Sequence, residues 1–160
     1  MILFLDFDCV LHPCFPLPDL LDAENAYFSS WPRLLAVLEE FPHVAVVVSS
    51  SWRSITPERW AAEVPESLKA RITGRTPEIK RPVRRQYPAD YQPEPMRFLE
   101  IQQHLKSTRQ LDRPWVALDD DPRLFPADCQ NLILCREGFG EDEAAALRAR
   151  FSAPRVPVGQ

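Results

Sequence analysis

Three short apolar runs each end in a cluster of polar residues, and this repeated pattern constrains the possible fold more than any other feature. The polar clusters are Asp6 with Asp8, the serines at 49–51 and the aspartates at 119–121. Continuous apolar runs of this length are typical of parallel strands that are covered on both faces. With a fourth run near the C-terminal end, the predicted strands are Ile2–Leu5, Val44–Val48, Trp115–Leu118 and Leu132–Cys135.

Helical periodicity occupies the stretches between these runs. The predicted helices are Trp31–Phe41, Pro57–Val64, Met96–Leu105 and Glu141–Phe151. Alternation of strands and helices indicates βαβ units and an α/β fold with a mainly parallel sheet. Ligands of such sheets bind outside the carboxyl ends of the strands. The three polar clusters are therefore expected to meet at one site.

Composition bounds the class of protein. The 160 residues are 45% hydrophobic, which suits one compact domain that folds without needing disulfides. We expect this domain to span residues 1–152, with a flexible tail at 153–160. No apolar run approaches the roughly 20 residues of a membrane span, and the first residues do not resemble a signal peptide. We therefore expect a cytoplasmic protein without a membrane association or an obligate protein partner.

Several kinds of site are excluded by what the chain lacks. Only four glycines are present, and they cannot form a glycine-rich dinucleotide loop or a Walker-type phosphate loop. The four cysteines form no Cys-x-x-Cys pair and the three histidines are scattered, which argues against zinc. The net charge of −4 argues against a generally basic nucleic-acid-coating protein.

Asp6 and Asp8 are the strongest candidates for chemistry. Because they are separated by one residue at a strand end, their side chains are expected to point to one side. Two like charges that close require a cation or a shared proton. The Asp119-Asp120-Asp121 cluster adds carboxylates at another strand end, and an all-oxygen donor set favours Mg²⁺. The alternative for a lone Asp-x-Asp is a turn or helix-capping pair.

Three motifs carry a resemblance to a known superfamily. Residues 4–11, Phe-Leu-Asp-Phe-Asp-Cys-Val-Leu, resemble the first motif of the haloacid dehalogenase (HAD) superfamily of phosphohydrolases. Residues 46–50 are similar to its second motif, and residues 116–120 to its fourth. The Ser-Ser-Trp-Arg and Leu-Asp-Asp-Asp stretches also resemble the small HAD domains of Swiss Army Knife RNA repair proteins. The resemblance implies a Rossmann-like three-layer α/β/α sandwich with a minimal cap.

The resemblance also implies roles for the acidic residues. Asp6 would attack phosphorus and form an aspartyl-phosphate, and Asp8 would protonate the leaving group and then activate water. Asp6, the backbone carbonyl of Asp8, Asp120 and Asp119 would hold Mg²⁺. Since the fourth motif departs from its usual form, the choice among Asp119, Asp120 and Asp121 stays open.

The serine cluster and a basic residue would bind the phosphate. We favour Ser50 over Ser49 as the phosphate ligand, with Ser51 and Arg53 assisting, although such serines also serve as strand-to-helix caps. Trp52 is expected to pack in the core.

Arg97 stands where the superfamily has its third-motif cation. It could neutralise the phosphoryl group and the acidic cluster. The alternative is a surface arginine paired with Glu94 or Glu100, in which case Lys80 or Lys106 would supply the charge. Cys9 occupies a position that is usually glycine in the superfamily, and we expect it to be a packed thiol.

A proline-rich, basic insertion is predicted at about residues 74–95. Residues 69–85 carry a net charge of +6, which could steer a polyanion, or could equally belong to a solvated loop. Neither this insertion nor residues 11–31 is long enough for a full cap domain. The expected activity is that of a Mg²⁺-dependent phosphatase acting on a phosphorylated small molecule or a nucleic-acid end. The alternatives are a polynucleotide end-phosphatase and a non-catalytic phosphate-binding module of the same fold.

Overall fold

Five parallel strands form the centre of the fold. The computed structural model describes residues 1–14, 26–80 and 94–153. The strands are β1 (Ile2–Leu5), β2 (Ala45–Val48), β3 (Ile72–Arg75), β4 (Trp115–Asp119) and β5 (Leu132–Leu134). They form one sheet in the order β3-β2-β1-β4-β5, and every neighbouring pair is parallel. The predicted α/β class with a parallel sheet is confirmed.

The central strand, β1, sets the position of everything at the carboxyl edge. All four of its residues are buried, as expected for an apolar strand covered on both faces. Its last residue, Leu5, pairs with Val48 of β2 and with Leu118 of β4. Because the three strands end level with one another, the polar residues that follow them lie side by side.

The described part of the chain contains five α-helices and two short 3₁₀ helices. The α-helices are α1 (Trp31–Glu40), α2 (Pro57–Glu63), α3 (Glu66–Lys69), α4 (Met96–Ser107) and α5 (Glu141–Ser152). The 3₁₀ helices are Ser51–Ser54 and Pro122–Leu124. The four predicted helices are confirmed to within two residues, whereas the four-residue α3 is too short for periodicity to show. None of the helices in these described ranges is long and apolar enough to cross a lipid bilayer.

The sheet is covered on both faces, which gives the three predicted layers. Side chains alternate along β1, so that Leu3 and Leu5 pack in the larger core and Ile2 and Phe4 in the smaller one. The larger core includes buried residues of α1 and α5, and the smaller one includes Ile101 and Leu105 of α4.

The edge strand β3 was not predicted. Its residues alternate between half-buried and exposed, so it lacks the apolar run that reveals the central strands. Gly74 and Arg75, where the insertion was predicted to begin at about residue 74, belong to this strand. Residues 81–93 of the insertion, residues 15–25 of the predicted capless segment and residues 154–160 of the tail lie outside the described residues.

His104 of α4 is a buried histidine that contacts the sheet, and its protonation is expected to affect stability. Its Nδ1 lies 3.2 Å from the carbonyl oxygen of Arg75 on β3, and its ring packs edge-on against Phe4. Burial lowers the pKa of His104 below its usual value, although the hydrogen bond to Arg75 partly offsets this. A carbonyl oxygen can only accept, so Nδ1 carries the hydrogen.

We expect the free energy of unfolding to fall as the pH is lowered below about 6.5, because there the unfolded chain binds a proton that the folded His104 does not. The variant His104→Asn keeps a donor near Nδ1 but cannot titrate, so its unfolding free energy should fall less between pH 7 and pH 5. Urea unfolding at a series of pH values measures this, with His43→Asn at an exposed position as the control. An unchanged pH dependence in His104→Asn would contradict the assignment.

Candidate active site

Asp6 lies directly after β1 and is almost fully buried. Its side chain is 7% exposed, and its Oδ1 accepts a hydrogen bond of 2.8 Å from the backbone N–H of Phe7. On the other oxygen, Oδ2, the Arg97 Nη2 lies 3.3 Å away. The Ser50 side chain lies near enough to lower the pKa of this carboxyl group. Asp6 is therefore a buried carboxylate held by the backbone beside it and by the guanidinium from α4.

Three carboxylates meet at this edge of the sheet. One oxygen each from Asp6, Asp119 and Asp120 can be chosen so that all three lie within 4.8 Å of one another. Asp121 turns away, since its Oδ1 accepts a hydrogen bond from the backbone N–H of Arg123 at the start of the second 3₁₀ helix. It also forms an exposed ion pair with the Arg123 guanidinium. The structure thus separates Asp121 from the other two aspartates, which sequence analysis could not do.

Crowding and burial disfavour the fully ionised state of these three carboxyl groups. Burial raises the pKa of Asp119 to about 8, and the negative charge of Asp6 adds to the effect. Burial likewise raises the pKa of Asp6, against the opposing charge of Arg97. The pKa of Asp120 is also raised, first by burial. A group of carboxyls with raised pKa values favours a bound cation, because the cation replaces the protons that the group would otherwise retain.

Arg97 is the cation that lies among these carboxylates. It projects from the first turn of α4, and its Nε lies 3.1 Å from Asp119 Oδ2 while its Nη2 contacts Asp6. The Nε–H is not directed along a hydrogen bond, so the contact with Asp119 is an ion pair. The alternative pairing with Glu100 is not observed, because Glu100 pairs instead with Arg53 at 2.6 Å. Lys106, the fallback candidate, lies in the last turn of the same helix.

The serines after β2 point to different neighbours. Ser50 is fully buried, and its Oγ accepts a hydrogen bond from the Trp52 backbone N–H. Its side chain also lowers the pKa of Asp6. The Ser49 hydroxyl instead lies 3.5 Å from the Thr76 hydroxyl, which donates to it. Of the two candidates, Ser50 is the one that influences the pKa of the candidate nucleophile. It also caps the first 3₁₀ helix, as its alternative interpretation predicts, and its role as a phosphate ligand stays a prediction.

Arg53 lies beside the site but is held by other groups. Its Nη2 pairs with Glu100, and its Nη1 donates to the carbonyl oxygen of Ser50. Both Arg53 and Arg97 line a cavity of about 280 Å³, together with Ser51. The Arg53–Glu100 pair supports the backbone that positions Ser50, and the guanidinium still borders the space open to a ligand.

Asp8 lies outside the carboxylate group and has its own set of donors. Its Oδ1 lies 2.7 Å from Trp52 Nε1 and 3.1 Å from His12 Nε2. Its Oδ2 accepts a hydrogen bond of 2.9 Å from the Ser51 hydroxyl. Burial alone would raise the pKa of Asp8, but the hydrogen bonds from His12, Trp52 and Ser51 outweigh it and lower the pKa.

Sequence analysis missed the two ring donors to Asp8. Trp52 is buried as predicted, but its indole N–H reaches the candidate acid as well. His12 is one of the three scattered histidines, none of which the sequence assigns to a site. Its separation of four residues from Asp8, within one turn-forming segment, was the available signal.

The cysteine prediction is wrong. Cys9 is not a packed thiol but forms a disulfide with Cys14. The intervening turn brings the two Cα atoms to 4.3 Å, close enough for a bridge that a five-residue separation does not reveal. Cys9 has φ of 59°, a left-handed conformation that suits the glycine usual at this position. The disulfide therefore closes the turn that connects Asp8 to His12.

Three of the four basic residues that the structure describes in the predicted patch make structural contacts, and the fourth, Lys80, is exposed. Lys69 pairs with Glu66, and Arg71 donates to carbonyl oxygens of Leu38 and Val44. The guanidinium of Arg75 stacks over the ring of Trp60 at 4.0 Å. The remaining arginines of the patch lie outside the described residues. The described part thus offers no continuous basic face directed at the carboxylates.

The donor set at the carboxylate group fits a hard divalent cation. Three carboxylates supply oxygen ligands only, and the single guanidinium among them leaves an excess of negative charge. Mg²⁺ prefers this combination of oxygen donors and charge. The other clustered set, Cys9 and Cys14 with Asp120, offers no thiolates because both sulfurs are in the disulfide.

A comparison with protein families matches this chain over residues 2–144 to the family described as the HAD domain in Swiss Army Knife RNA repair proteins. The chain belongs to this family. The match extends from β1 into α5 and therefore includes every residue of this HAD domain's candidate site. The comparisons with curated proteins and with solved structures found no match to this chain.

We predict that the disulfide stabilises the HAD domain and that the backbone at Cys9 costs part of that gain. Cys14→Ser should lower the free energy of unfolding by about 2 kcal/mol, as expected for closing so short a loop. Cys9→Gly also removes the disulfide, but it should lose less because glycine adopts a positive φ without penalty.

Urea unfolding without reductant measures both variants, and wild type reduced with dithiothreitol should match Cys14→Ser. If Cys14→Ser were as stable as the oxidised wild type, the disulfide would contribute nothing to folding. If Cys9→Gly were the less stable variant, the argument from backbone conformation would be wrong.

Proposed function

We propose that this HAD domain is a Mg²⁺-dependent phosphomonoester hydrolase that forms an aspartyl-phosphate on Asp6. One observation carries the proposal: Asp6 shares the carboxyl edge of the sheet with Asp119, Asp120 and the Arg97 guanidinium. A phosphoryl group and an attacking carboxylate repel each other unless positive charge lies between them. The arrangement provides both a buried guanidinium and a place for a divalent cation.

In the first half of the proposed reaction, an Asp6 carboxylate oxygen attacks phosphorus. The new bond joins Asp6 to phosphorus, and the bond from phosphorus to the ester oxygen breaks with its electron pair on that oxygen. Asp8 gives its proton to the leaving oxygen, so that an alcohol departs. The Ser50 hydroxyl and the Arg97 guanidinium would hold the non-bridging phosphoryl oxygens, with Ser51 and Arg53 bordering the same space.

In the second half, water attacks the phosphorus of the aspartyl-phosphate. Asp8, now ionised, takes a proton from that water, and the bond between phosphorus and Asp6 breaks to release inorganic phosphate. The lowered pKa of Asp8 leaves its carboxylate ionised at neutral pH, which is the form that this step requires, whereas the first half requires the protonated form. Each group returns to its starting state.

Mg²⁺ would be held by Asp6, Asp119, Asp120 and the backbone carbonyl of Asp8, where it would supply positive charge to the phosphoryl group. The carboxylate set supports this assignment of Asp119 and Asp120 over Asp121. Intact Asp6 and Asp8 favour a catalytic domain over a non-catalytic phosphate-binding module.

The substrate class is proposed more narrowly from the family's description. Because related HAD domains occur in RNA repair proteins, a phosphorylated nucleic-acid end is the second candidate beside a small phosphomonoester. A polynucleotide end-phosphatase would show affinity that falls steeply with salt, since contacts to backbone phosphates release counterions.

The activity prediction tests the nucleophile. Wild type with Mg²⁺ should hydrolyse an aryl phosphate. Asp6→Asn should lose at least about 10³-fold in kcat, because an amide cannot form the acyl phosphate. Phosphate release is the measurement, with 3′- and 5′-phosphorylated oligonucleotides tested in parallel to distinguish the substrate classes. Asp121→Asn serves as the matched control outside the carboxylate group. Full activity in Asp6→Asn would end the proposal.

A separate prediction tests the metal site without activity. Mg²⁺ at ten times its dissociation constant should stabilise wild type by about 1.4 kcal/mol. Asp119→Asn should lose most of this stabilisation, because it removes a ligand oxygen's charge, whereas Asp121→Asn should retain it. Without Mg²⁺, Asp119→Asn should be at least as stable as wild type at pH 8, since it removes a crowded carboxyl. Thermal unfolding with and without MgCl₂ measures each variant, and an equal Mg²⁺ effect in Asp119→Asn would contradict the assignment.

A further inference from the structure

We propose that His12 and Trp52 are positioning residues that orient the Asp8 carboxyl, with Oδ1 held against the two rings and Oδ2 turned toward Ser51 and the space for a ligand. The inference rests on the proposed function, because it concerns how the acid and base of that reaction is oriented. It assigns a role to a histidine and a tryptophan that the proposed reaction itself does not use.

The two rings converge on the same oxygen of Asp8. Trp52 Nε1 is 2.7 Å and His12 Nε2 is 3.1 Å from Oδ1. An indole N–H can only donate, and a carboxylate oxygen accepts at two lone-pair positions. In the bond to a carboxylate, His12 Nε2 likewise carries the hydrogen. Both positions on Oδ1 are therefore taken, and a proton that arrives at Asp8 binds to Oδ2.

Oδ2 faces a different environment. Its partner is the Ser51 hydroxyl at 2.9 Å, which can donate to the ionised carboxylate or accept from the protonated one by rotating its hydrogen. Ser51 is exposed, and it lines the cavity of about 280 Å³ that Arg53 and Arg97 also border. The oxygen left free to exchange a proton is thus the one whose partner borders space for a ligand.

Packing fixes the two donors in place. The side chain of His12 is 1% exposed, and its ring packs against Phe28 and Trp52 with centroid separations of 5.2 and 5.5 Å. Its Nδ1 is buried and makes no hydrogen bond within the described residues. In the part of the chain that the structure describes, the one polar contact of this buried ring is therefore the bond to Asp8. A buried histidine that contributed only packing would not need a hydrogen bond between its Nε2 and a half-exposed carboxylate.

The indole of Trp52 is held in the same way. It is 4% exposed, and its ring packs edge-on against Phe7 and Phe28. Its backbone N–H donates to Ser50 Oγ, so the residue that orients the acid also binds the candidate phosphate ligand. The disulfide between Cys9 and Cys14 closes the turn that carries His12. Neither donor can move far without disturbing the core.

Dependence on the leaving group distinguishes positioning from general damage. Protonation matters most for a weakly acidic alcohol and least for an acidic phenol, which departs without it. The test compares kcat/KM for an alkyl phosphate with kcat/KM for p-nitrophenyl phosphate, because kcat/KM reports the steps up to departure of the alcohol and not the later attack of water. His12→Phe and Trp52→Phe keep ring volume but remove the donor, and each should lose roughly tenfold or more on the alkyl phosphate but only about twofold on p-nitrophenyl phosphate.

Two further variants complete the comparison. His12→Gln places an amide N–H near the position of Nε2, so it should restore the wild-type ratio of the two rates. Trp60→Phe is the matched control, since Trp60 also stacks on Phe7 but is not among the donors to Asp8 in the described structure. Its ratio should equal that of wild type. Should Trp52→Phe fail to fold, the His12→Phe and His12→Gln pair carries the test.

The outcomes separate this inference from the proposed function. If Asp6→Asn abolishes hydrolysis and Asp8→Asn shows the leaving-group dependence, but the ring variants lose equally on both substrates, then His12 and Trp52 are structural only and the inference is wrong. If Asp8→Asn shows no leaving-group dependence, the acid role in the proposed function fails. Dependence in Asp8→Asn and both ring variants, with rescue by His12→Gln, supports the inference.

Discussion

The crowding of Asp6, Asp119 and Asp120 is the constraint on which the rest of this site depends. Oxygens of these groups lie within 4.8 Å of one another, and a fully ionised pair at that separation repels by roughly 3 kcal/mol at an effective dielectric constant of about 20. Arg97 offers one positive charge against three carboxylates, and it can balance only part of this repulsion. The fold therefore keeps an excess of negative charge at this site unless protons or a cation bind there. Natural proteins accept such a cost mainly at functional positions.

The sheet makes this crowding unavoidable. Leu5 pairs with Val48 on one side and with Leu118 on the other, so the residues that follow the three strands are brought together whatever their separation along the chain. Strands β2 and β3 lie on one side of β1, and β4 and β5 lie on the other. In α/β sheets, ligands bind outside the carboxyl ends of the strands at the point where the strand order reverses in this way. Helix α4, which packs on the face of the sheet that holds the smaller core, supplies Arg97 to the same site. The carboxylates and the arginine that partly neutralises them thus come from elements that are packed around the central strand.

Features that follow from burial could be predicted from the sequence, whereas features that follow from side-chain geometry could not. The buried strands stand out because they are apolar throughout, and their polar ends mark the site. The edge strand β3 is half-exposed and contains Gly74, so it carries no comparable signal. The disulfide of Cys9 depends on the path of one turn. Trp52 was predicted correctly as a core residue, but a buried tryptophan must also satisfy its N–H, and only the structure shows that Asp8 does so.

Asp6 and Asp8 show how one short motif can support two chemical tasks. They are two residues apart, yet their environments shift their pKa values in opposite directions: burial raises that of Asp6, and three side-chain donors lower that of Asp8. Opposite shifts of neighbouring carboxyls are how active sites divide roles between like residues. For Asp6 the raised pKa reflects a carboxylate that needs Arg97 and a cation to stay ionised as a nucleophile. For Asp8 the lowered pKa means that the ionised form predominates at neutral pH, so the protonated form that the ester-cleaving step uses is the less populated one. In the proposed cycle the ester-cleaving step therefore makes the greater demand on the donors to Asp8, because there the proton must sit on the one oxygen that they leave free.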